Sequence, residues 1–308
     1  MNIIRAAHQL KTDGRKVCAG IGVFDGVHLG HQQVLRQTLD DAQRTEGIPI
    51  AITFDRHPNK LVAPERAPAM IYPLQKKLDT IASLGFKHLL LHEFTPEFRR
   101  ITGSEFIKTL VDEFKTLEAI SVGSKFAFGH KRSGNVELLK QLGQENNFRV
   151  HGLAAVALDG QSVSSTRIRN SIQSGDINAA NQMLGRPYTL CGHVVKGEQV
   201  GRKLGFPTAN IDTTGLLTPP NGVYATHVKL DKQSHRAALN IGNRPTLAHP
   251  EPTLHVEAHL LDFEGDLYGK DIEITFTQKI RPEQKFPNLD ALRDQISKDV
   301  ETTRSIFS

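Results

Sequence analysis

At 308 residues, 38% of them hydrophobic and 23% charged, the chain is long enough for two ordinary domains that each bury a core. No apolar run approaches the length that spans a bilayer, and the first residues, MNIIRAAHQLKTDGRKV, lack the uninterrupted apolar segment of a secretory signal, so a cytoplasmic protein is expected. The net charge of +5 comes from bases interspersed with acids, which small anionic ligands such as nucleotides explain as well as nucleic acid does. Cys18 and Cys191 form no C-x-x-C pair, which argues against a disulfide framework or a structural zinc site.

Through about residue 184 short apolar strands alternate with helical patterns, the signature of a parallel sheet with helices on its faces. Strands are predicted over 17–24, 48–54, 88–92, 119–122 and 149–157, with helices over 29–45, 74–84, 105–114 and 135–145. Thr102 and Glu105 have capping-box spacing ahead of the third helix. Helices over 166–173 and 177–184 close the region, with Asp176 as N-cap and Gly185 as stop. From Tyr188 the texture changes to β-branched runs divided by Gly, Pro and Asn turns, as in an antiparallel barrel or sandwich. Strands are predicted over 189–196, 223–230, 236–241, 254–261 and 272–277, then an amphipathic helix over 289–300 with Asn288 as N-cap. Gly185-Arg186-Pro187 divides an expected domain 1–184 from a second, 188–308.

The segment GIGVFDGVHLGHQ, residues 20–32, sits where a buried strand turns into a helix, a junction that gathers free backbone N–H groups and a positive helix end. His28 and His31 flank Gly30 in an H-x-G-H pattern that lets a polyphosphate approach the backbone beneath two imidazole donors. Gly20, Gly22 and Gly26 nearly spell a dinucleotide fingerprint, but the last gap is one residue too long; a Walker loop lacks its Gly-Lys-Ser/Thr ending. Far downstream, VSSTRIRNS offers hydroxyls at Ser164, Ser165 and Thr166 and guanidinium forks at Arg167 and Arg169. Alone it reads as an N-cap before a solvated basic helix. Paired with H-x-G-H it resembles the second signature of the HIGH-type nucleotidyltransferases.

In the second half, GRKLGFPTANID places Thr208 and Asn210 on one side of an extended chain, where a hydroxyl and an amide could hold a magnesium-nucleotide complex. In LHVEAHLL strict alternation sets Leu254, Val256, Ala258 and Leu260 against His255, Glu257 and His259. The polar row is either a solvated face or a catalytic one, in which Glu257 accepts the proton of a hydroxyl attacking the γ-phosphate of ATP. The two histidines have no third ligand at metal-site spacing, so zinc is left out.

Together these segments resemble the prokaryotic bifunctional riboflavin kinase/FAD synthetases, through GVFDGVHLGH, TFDRHP, FAFGHKRSG, VSSTRIR, LGRPY, GRKLGFPTANI, PPNGVYA, NIGNRPT, HLLDFEGDLYGK and EQKF. The resemblance implies an N-terminal α/β, Rossmann-like nucleotidyltransferase domain and a C-terminal β-barrel riboflavin kinase domain ending in a helix. It implies riboflavin, FMN and ATP as partners, Mg2+ as cofactor and FMN and FAD as products, with no nucleic-acid or membrane partner. His28 and His31 would stabilise adenylyl transfer, Ser165, Thr166 and Arg169 would grip the ATP phosphates, and Gly22 and Phe24 would line the nucleotide pocket. Thr208 and Asn210 would position magnesium-ATP, Thr208 as a metal ligand, with Glu257 as the base. The family usually carries Asn or Asp where this chain has Lys125, and often proline in place of Arg56. Lys125 is therefore a flavin-site candidate that either contacts the FMN phosphate or pyrophosphate or impairs flavin or adenine placement, and it motivates a second reading in which the N-terminal domain only binds nucleotide or flavin. The basic pI of 9.1 also admits an RNA-directed nucleotidyltransferase, whose binding would weaken steeply with salt.

Overall fold

The computed structural model describes residues 1–57, 65, 67–197, 200–231, 233–244 and 253–308. Pro58 of TFDRHP and Pro245 and Thr246 of NIGNRPT lie outside the described residues. The chain divides into two compact units, Met1–Ser165 and Thr166–Ser308.

In the first unit, strands β1 (Asn2–Ile4), β2 (Val17–Ile21), β3 (Ile48–Phe54), β4 (His88–His92), β5 (Leu117–Gly123) and β6 (Arg149–Leu153) form one sheet in the order β1-β4-β3-β2-β5-β6. Every pairing in it is parallel. Its helices are α1 (Leu29–Arg44), α2 (Leu74–Ser83), α3 (Gly103–Phe114) and α4 (Val136–Glu145). A small antiparallel pair, β7 (Ala157–Leu158) and β8 (Gln161–Ser162), ends the unit.

The pleat explains the layering. Ile50, Ile52 and Leu90 face one core with Phe106, Ile107 and Leu110 of α3 and Leu139 of α4. Ala51, Leu89 and Leu91 face another with Val34 and Leu35 of α1 and Leu78 and Ile81 of α2. Strands buried on both faces read as continuous apolar runs, which is why β3 and β4 are legible as parallel strands. Strand order reverses between β2 and β5, and the crevice beyond the carboxyl ends at such a switch point is where open α/β sheets bind ligands.

Boundaries shift for local reasons. β2 stops at Ile21, short of the expected residue 24, because Phe24 takes a left-handed backbone with φ 53°. β1 has only three residues, too short to show a period. The Thr102–Glu105 capping box closes as expected, Glu105 N–H donating to the Thr102 hydroxyl and Thr102 N–H to the Glu105 carboxylate.

The second unit begins with helices α5 (Ser165–Ser174) and α6 (Ile177–Leu184), Asp176 capping α6 and Gly185 ending it in a left-handed turn, both as expected. They group with the barrel rather than with the sheet. Asn181 of α6 accepts the Tyr188 N–H at 2.6 Å, the Tyr188 hydroxyl donates to Leu217 O, and a Cβ on Gly175 would sit 3.6 Å from Pro220. Strands β9 (Thr189–Val195), β10 (Ala209–Asp212), β11 (Gly222–Leu230), β12 (Gln233–Arg244), β13 (Thr253–Leu260) and β14 (Asp271–Arg281) close a barrel in the order β10-β13-β12-β11-β14-β9. All its ladders are antiparallel. The short helix α7 (Val200–Lys203) precedes the unforeseen four-residue β10.

The C-terminal helix α8 (Leu289–Ile306) is capped by Asn288, as expected, and runs six residues past the expected end at 300. Two contacts hold the extension: Arg304 pairs with Asp262 at 2.6 Å, and the Phe307 ring packs on His227 at 4.5 Å. Nearer its middle, Asp299, only 5% exposed, accepts a two-pronged bond from Arg281 of β14 at 2.9 and 2.7 Å. Asp299→Ala strands that guanidinium, so it is expected to lower the stability of this unit by about 3 kcal/mol, read as a lower denaturant midpoint; an unchanged midpoint would contradict the assigned role.

Candidate functional sites

In the first unit the chain leaves β2 through a strained turn. Phe24 (φ 53°), Gly26 (φ 77°) and Val27 (φ 40°) all adopt positive φ, and for a β-branched valine this is a true outlier. The two non-glycine residues cost on the order of 1–3 kcal/mol each and persist only where the surroundings fix them. Here Asp25, 2% exposed, accepts the Ile71 N–H at 3.1 Å and the Tyr72 N–H at 3.4 Å. The Gln32 amide donates to Val27 O at 3.0 Å, and the Ser165 hydroxyl donates to Asp25 O at 3.1 Å across 140 residues of sequence. Ser165 is thus tied to the H-x-G-H turn, as the pairing of the two motifs anticipates.

The turn delivers His28 as the N-cap of α1, its Nδ1 accepting the His31 N–H at 3.3 Å. With Nδ1 an acceptor, the neutral ring carries its proton on Nε2, leaving that atom as a donor. The two imidazoles stack, centroids 3.6 Å apart, and the Phe24 ring meets His31 edge-on at 5.4 Å. Gly30 gives the room this requires: a Cβ there would lie 3.2 Å from the His28 ring. A Cβ on Gly22 would collide with the Phe24 ring at 2.6 Å, so that position needs glycine. Phe24 itself is 1% exposed and belongs to the α1–α2 core, so it supports His31 from beneath.

Lys125 is exposed in the turn that follows β5, on the other strand of the switch point. Thr166 is exposed and Arg169 half-buried on the first turns of α5, in the second unit. Arg56 donates to Asp55 at 2.8 Å. Burial would raise the Asp55 carboxyl, but the Arg56 guanidinium and the Phe94 N–H outweigh it and hold the group below the usual range.

Sequence reading missed a belt of rings beyond the ends of β3, β4 and β5. His92 stacks on Phe98 at 5.0 Å and meets Phe106 at 5.6 Å, Phe54 meets Phe94 at 6.0 Å, and Phe126 stacks on Phe128 at 5.1 Å. The density of phenylalanine over 94–128 is the signal that could have found it. Asp25 and the buried Lys77 were missed too, since nothing in their local sequence marks them as interior.

In the second unit a cavity of about 270 Å³ opens between α8 and the outer face of the barrel, lined among others by Thr208, Asn240, Glu257, Arg281, Leu292 and Ile296. A neighbouring cavity of about 540 Å³ is lined by Val194, Arg202, Thr208, Phe263 and Tyr268. Thr208 borders both. Asn210 stands opposite Glu257 in the β10–β13 ladder, so the two side chains share a face, but it borders a further cavity with Lys196, Asp212 and His255. A Cβ on Gly197 would fall 2.3 Å from the Asn210 amide, so glycine lets that segment lie against it. His259 meets the Pro207 carbonyl at 2.8 Å and Phe206 edge-on at 5.7 Å, fastening the 201–208 segment over β13. Of the expected residues, Thr208 and Glu257 meet at one cavity, while Asn210 adjoins it.

A parallel sheet with a histidine pair at its switch point, and a separate closed barrel with a carboxylate beside paired cavities, define a two-part enzyme class with one site in each unit. Family comparisons agree in each half: residues 10–167 match the FAD synthetase family and residues 184–307 the riboflavin kinase family. The chain is 36% identical to a bifunctional riboflavin kinase/FMN adenylyltransferase of Pseudomonas fluorescens, over 99% of this chain and 98% of that protein. It is 36% identical to the protein of the same name from Escherichia coli K12, over 100% of this chain and 98% of that one. A crystal structure described as a macrolide-efflux protein from Streptococcus pneumoniae superposes with a TM-score of 0.83 at 28% identity, covering 98% of both chains. Among the described residues no helix is long and apolar enough to cross a membrane. The chain belongs to the bifunctional riboflavin kinase/FMN adenylyltransferase family, with an FAD synthetase domain followed by a riboflavin kinase domain.

The ring belt has a pH consequence. Burial pushes His92 down to about 4, against the pull of Glu113, whereas the unfolded residue titrates near 6.5. The stability gained by keeping it neutral is complete above pH 6.5 and is lost as pH falls toward 4, by roughly 3 kcal/mol in all. Denaturant midpoints between pH 7 and 4.5 should fall in the native protein and fall less in His92→Phe; parallel curves would contradict the assignment.

Proposed function

We propose that residues 188–308 transfer the γ-phosphoryl group of ATP to riboflavin and that residues 1–184 transfer the adenylyl group of a second ATP to the FMN so formed. The observation that carries the kinase assignment is Thr208, which borders both the cavity holding Glu257 and the cavity beside it. Flavin in the first and nucleotide in the second would meet at that hydroxyl. Glu257 takes the proton of the ribityl hydroxyl as its oxygen bonds to the γ-phosphorus, and the bond to the β-phosphate oxygen breaks to release ADP.

Thr208 and Asn210 offer neutral oxygen donors, a set that suits Mg2+ when nucleotide phosphates and water complete its shell. Bound there, the ion would neutralise charge on the phosphates.

In the adenylyltransferase, an FMN phosphate oxygen attacks the α-phosphorus of ATP and pyrophosphate leaves. His28, through Nε2–H, and His31 donate to the oxygens that gain charge, and Ser165, bonded to the turn that carries them, grips the phosphates. Gly22 leaves the nucleotide room, Phe24 backs His31, and Lys125 contacts the FMN phosphate. Relatives that carry both activities in their names match along the whole chain, so the reading in which the first domain only binds is not favoured. Dependence on ATP supports a cytoplasmic location.

Incubation with riboflavin, ATP and magnesium, followed by product separation, should yield FMN and FAD. His31→Ala is expected to lower FAD formation by about 10²- to 10³-fold while sparing FMN formation. Glu257→Ala is expected to lower FMN formation by about 10²- to 10⁴-fold while sparing FAD formation from supplied FMN. Equal loss of both activities in either variant would contradict the assignment.

A further inference from the structure

Lys77, on α2, is 2% exposed, yet its ammonium is fully engaged. It donates to Val23 O at 3.2 Å, to the Thr53 hydroxyl at 3.2 Å and to Phe54 O at 2.7 Å. Val23 lies between the end of β2 and the first left-handed residue of the strained turn; Phe54 ends the adjacent β3. The Thr53 hydroxyl also donates to Val23 O at 3.1 Å, and Gly22 N–H continues the ladder to Ile52 O at 3.1 Å. One cation therefore joins the exits of two parallel strands, one residue before the backbone turns toward His28.

We propose that Lys77 is a positioning residue for adenylyl transfer: by clamping Val23 O and Phe54 O it holds the strained 24–27 turn in the conformation that stacks His28 on His31. This rests on the assignment of the histidine pair to that reaction. An ammonium is the group that fits, because it has three N–H donors for three acceptors, whereas a neutral amine has two. Asp25 in the turn and Asp55 beyond β3, the latter paired with Arg56, are the charges that favour the ammonium. Asp25 fixes the turn from its far side through the Ile71 and Tyr72 amides, so turn and clamp share one electrostatic unit. Burial opposes these charges and brings the ammonium down to about 8, within reach of an ordinary assay.

The test compares Lys77→Met, which keeps the apolar stem and removes every donor, with His31→Ala and the native protein, each assayed for FAD formation from FMN and ATP and for FMN formation from riboflavin. Lys77→Met should lower kcat for FAD about 10- to 100-fold, change KM for ATP less than kcat, and leave FMN formation intact. The native protein should lose FAD formation above about pH 8, and the variant should lack that alkaline limb. If Lys77→Met fails to fold by circular dichroism, Lys77→Gln, which keeps two N–H donors and no charge, takes its place under the same criteria. Native-like kcat and pH profile in Lys77→Met, with His31→Ala impaired, would overturn the Lys77 proposal alone. Unimpaired FAD formation in His31→Ala would overturn the histidine assignment beneath it.

Discussion

The first unit depends on holding a backbone that its own sterics disfavour. Between β2 and α1 the chain must reverse within a few residues and still present the first turn of the helix to the crevice, and it does so through Phe24, Gly26 and Val27 at positive φ. No single contact fixes such a segment. Asp25 anchors it to the 71–72 backbone, Gln32 and Ser165 bind its carbonyls, and Phe24 is sealed in the core. What this achieves is preorganisation: two imidazoles held stacked in fixed geometry before substrate arrives.

The second unit solves a different problem with different means. A closed barrel has no free edge, and cavities open both on its outer face beside Glu257 and at Ala258 and Leu260 of its inward row. Here α8 and the 201–208 segment line the cavity beside Glu257, and polar contacts fasten both, Asp299 to Arg281 and His259 to Pro207. Glu257 occupies the outward row of β13 while Val256, Ala258 and Leu260 fill the inward row. One pleat thus serves as core wall on one side and as cavity wall on the other.

That pleat is why so much was legible. Alternation at 254–260 marks Glu257 as outward-facing, continuous apolar runs mark β3 and β4 as doubly buried, and the caps at Thr102, Asp176 and Asn288 are short-range signals read directly from sequence. What escaped was non-local or too short. β1 and β10 have too few residues to show a period, and the last turns of α8 are held by Asp262 and His227 rather than by an apolar stripe. Ser165 and the H-x-G-H turn could be paired only by resemblance, because the hydrogen bond joining them spans 140 residues. Lys77 and Asp25 read as ordinary surface charges, and only the fold shows them buried.

The central claim is that this polypeptide carries two independent nucleotide pockets, one in each unit. Calorimetric titration of the native protein with a non-hydrolysable ATP analogue in the presence of magnesium tests it most directly. The account requires two molecules bound per chain; saturation at one would contradict it.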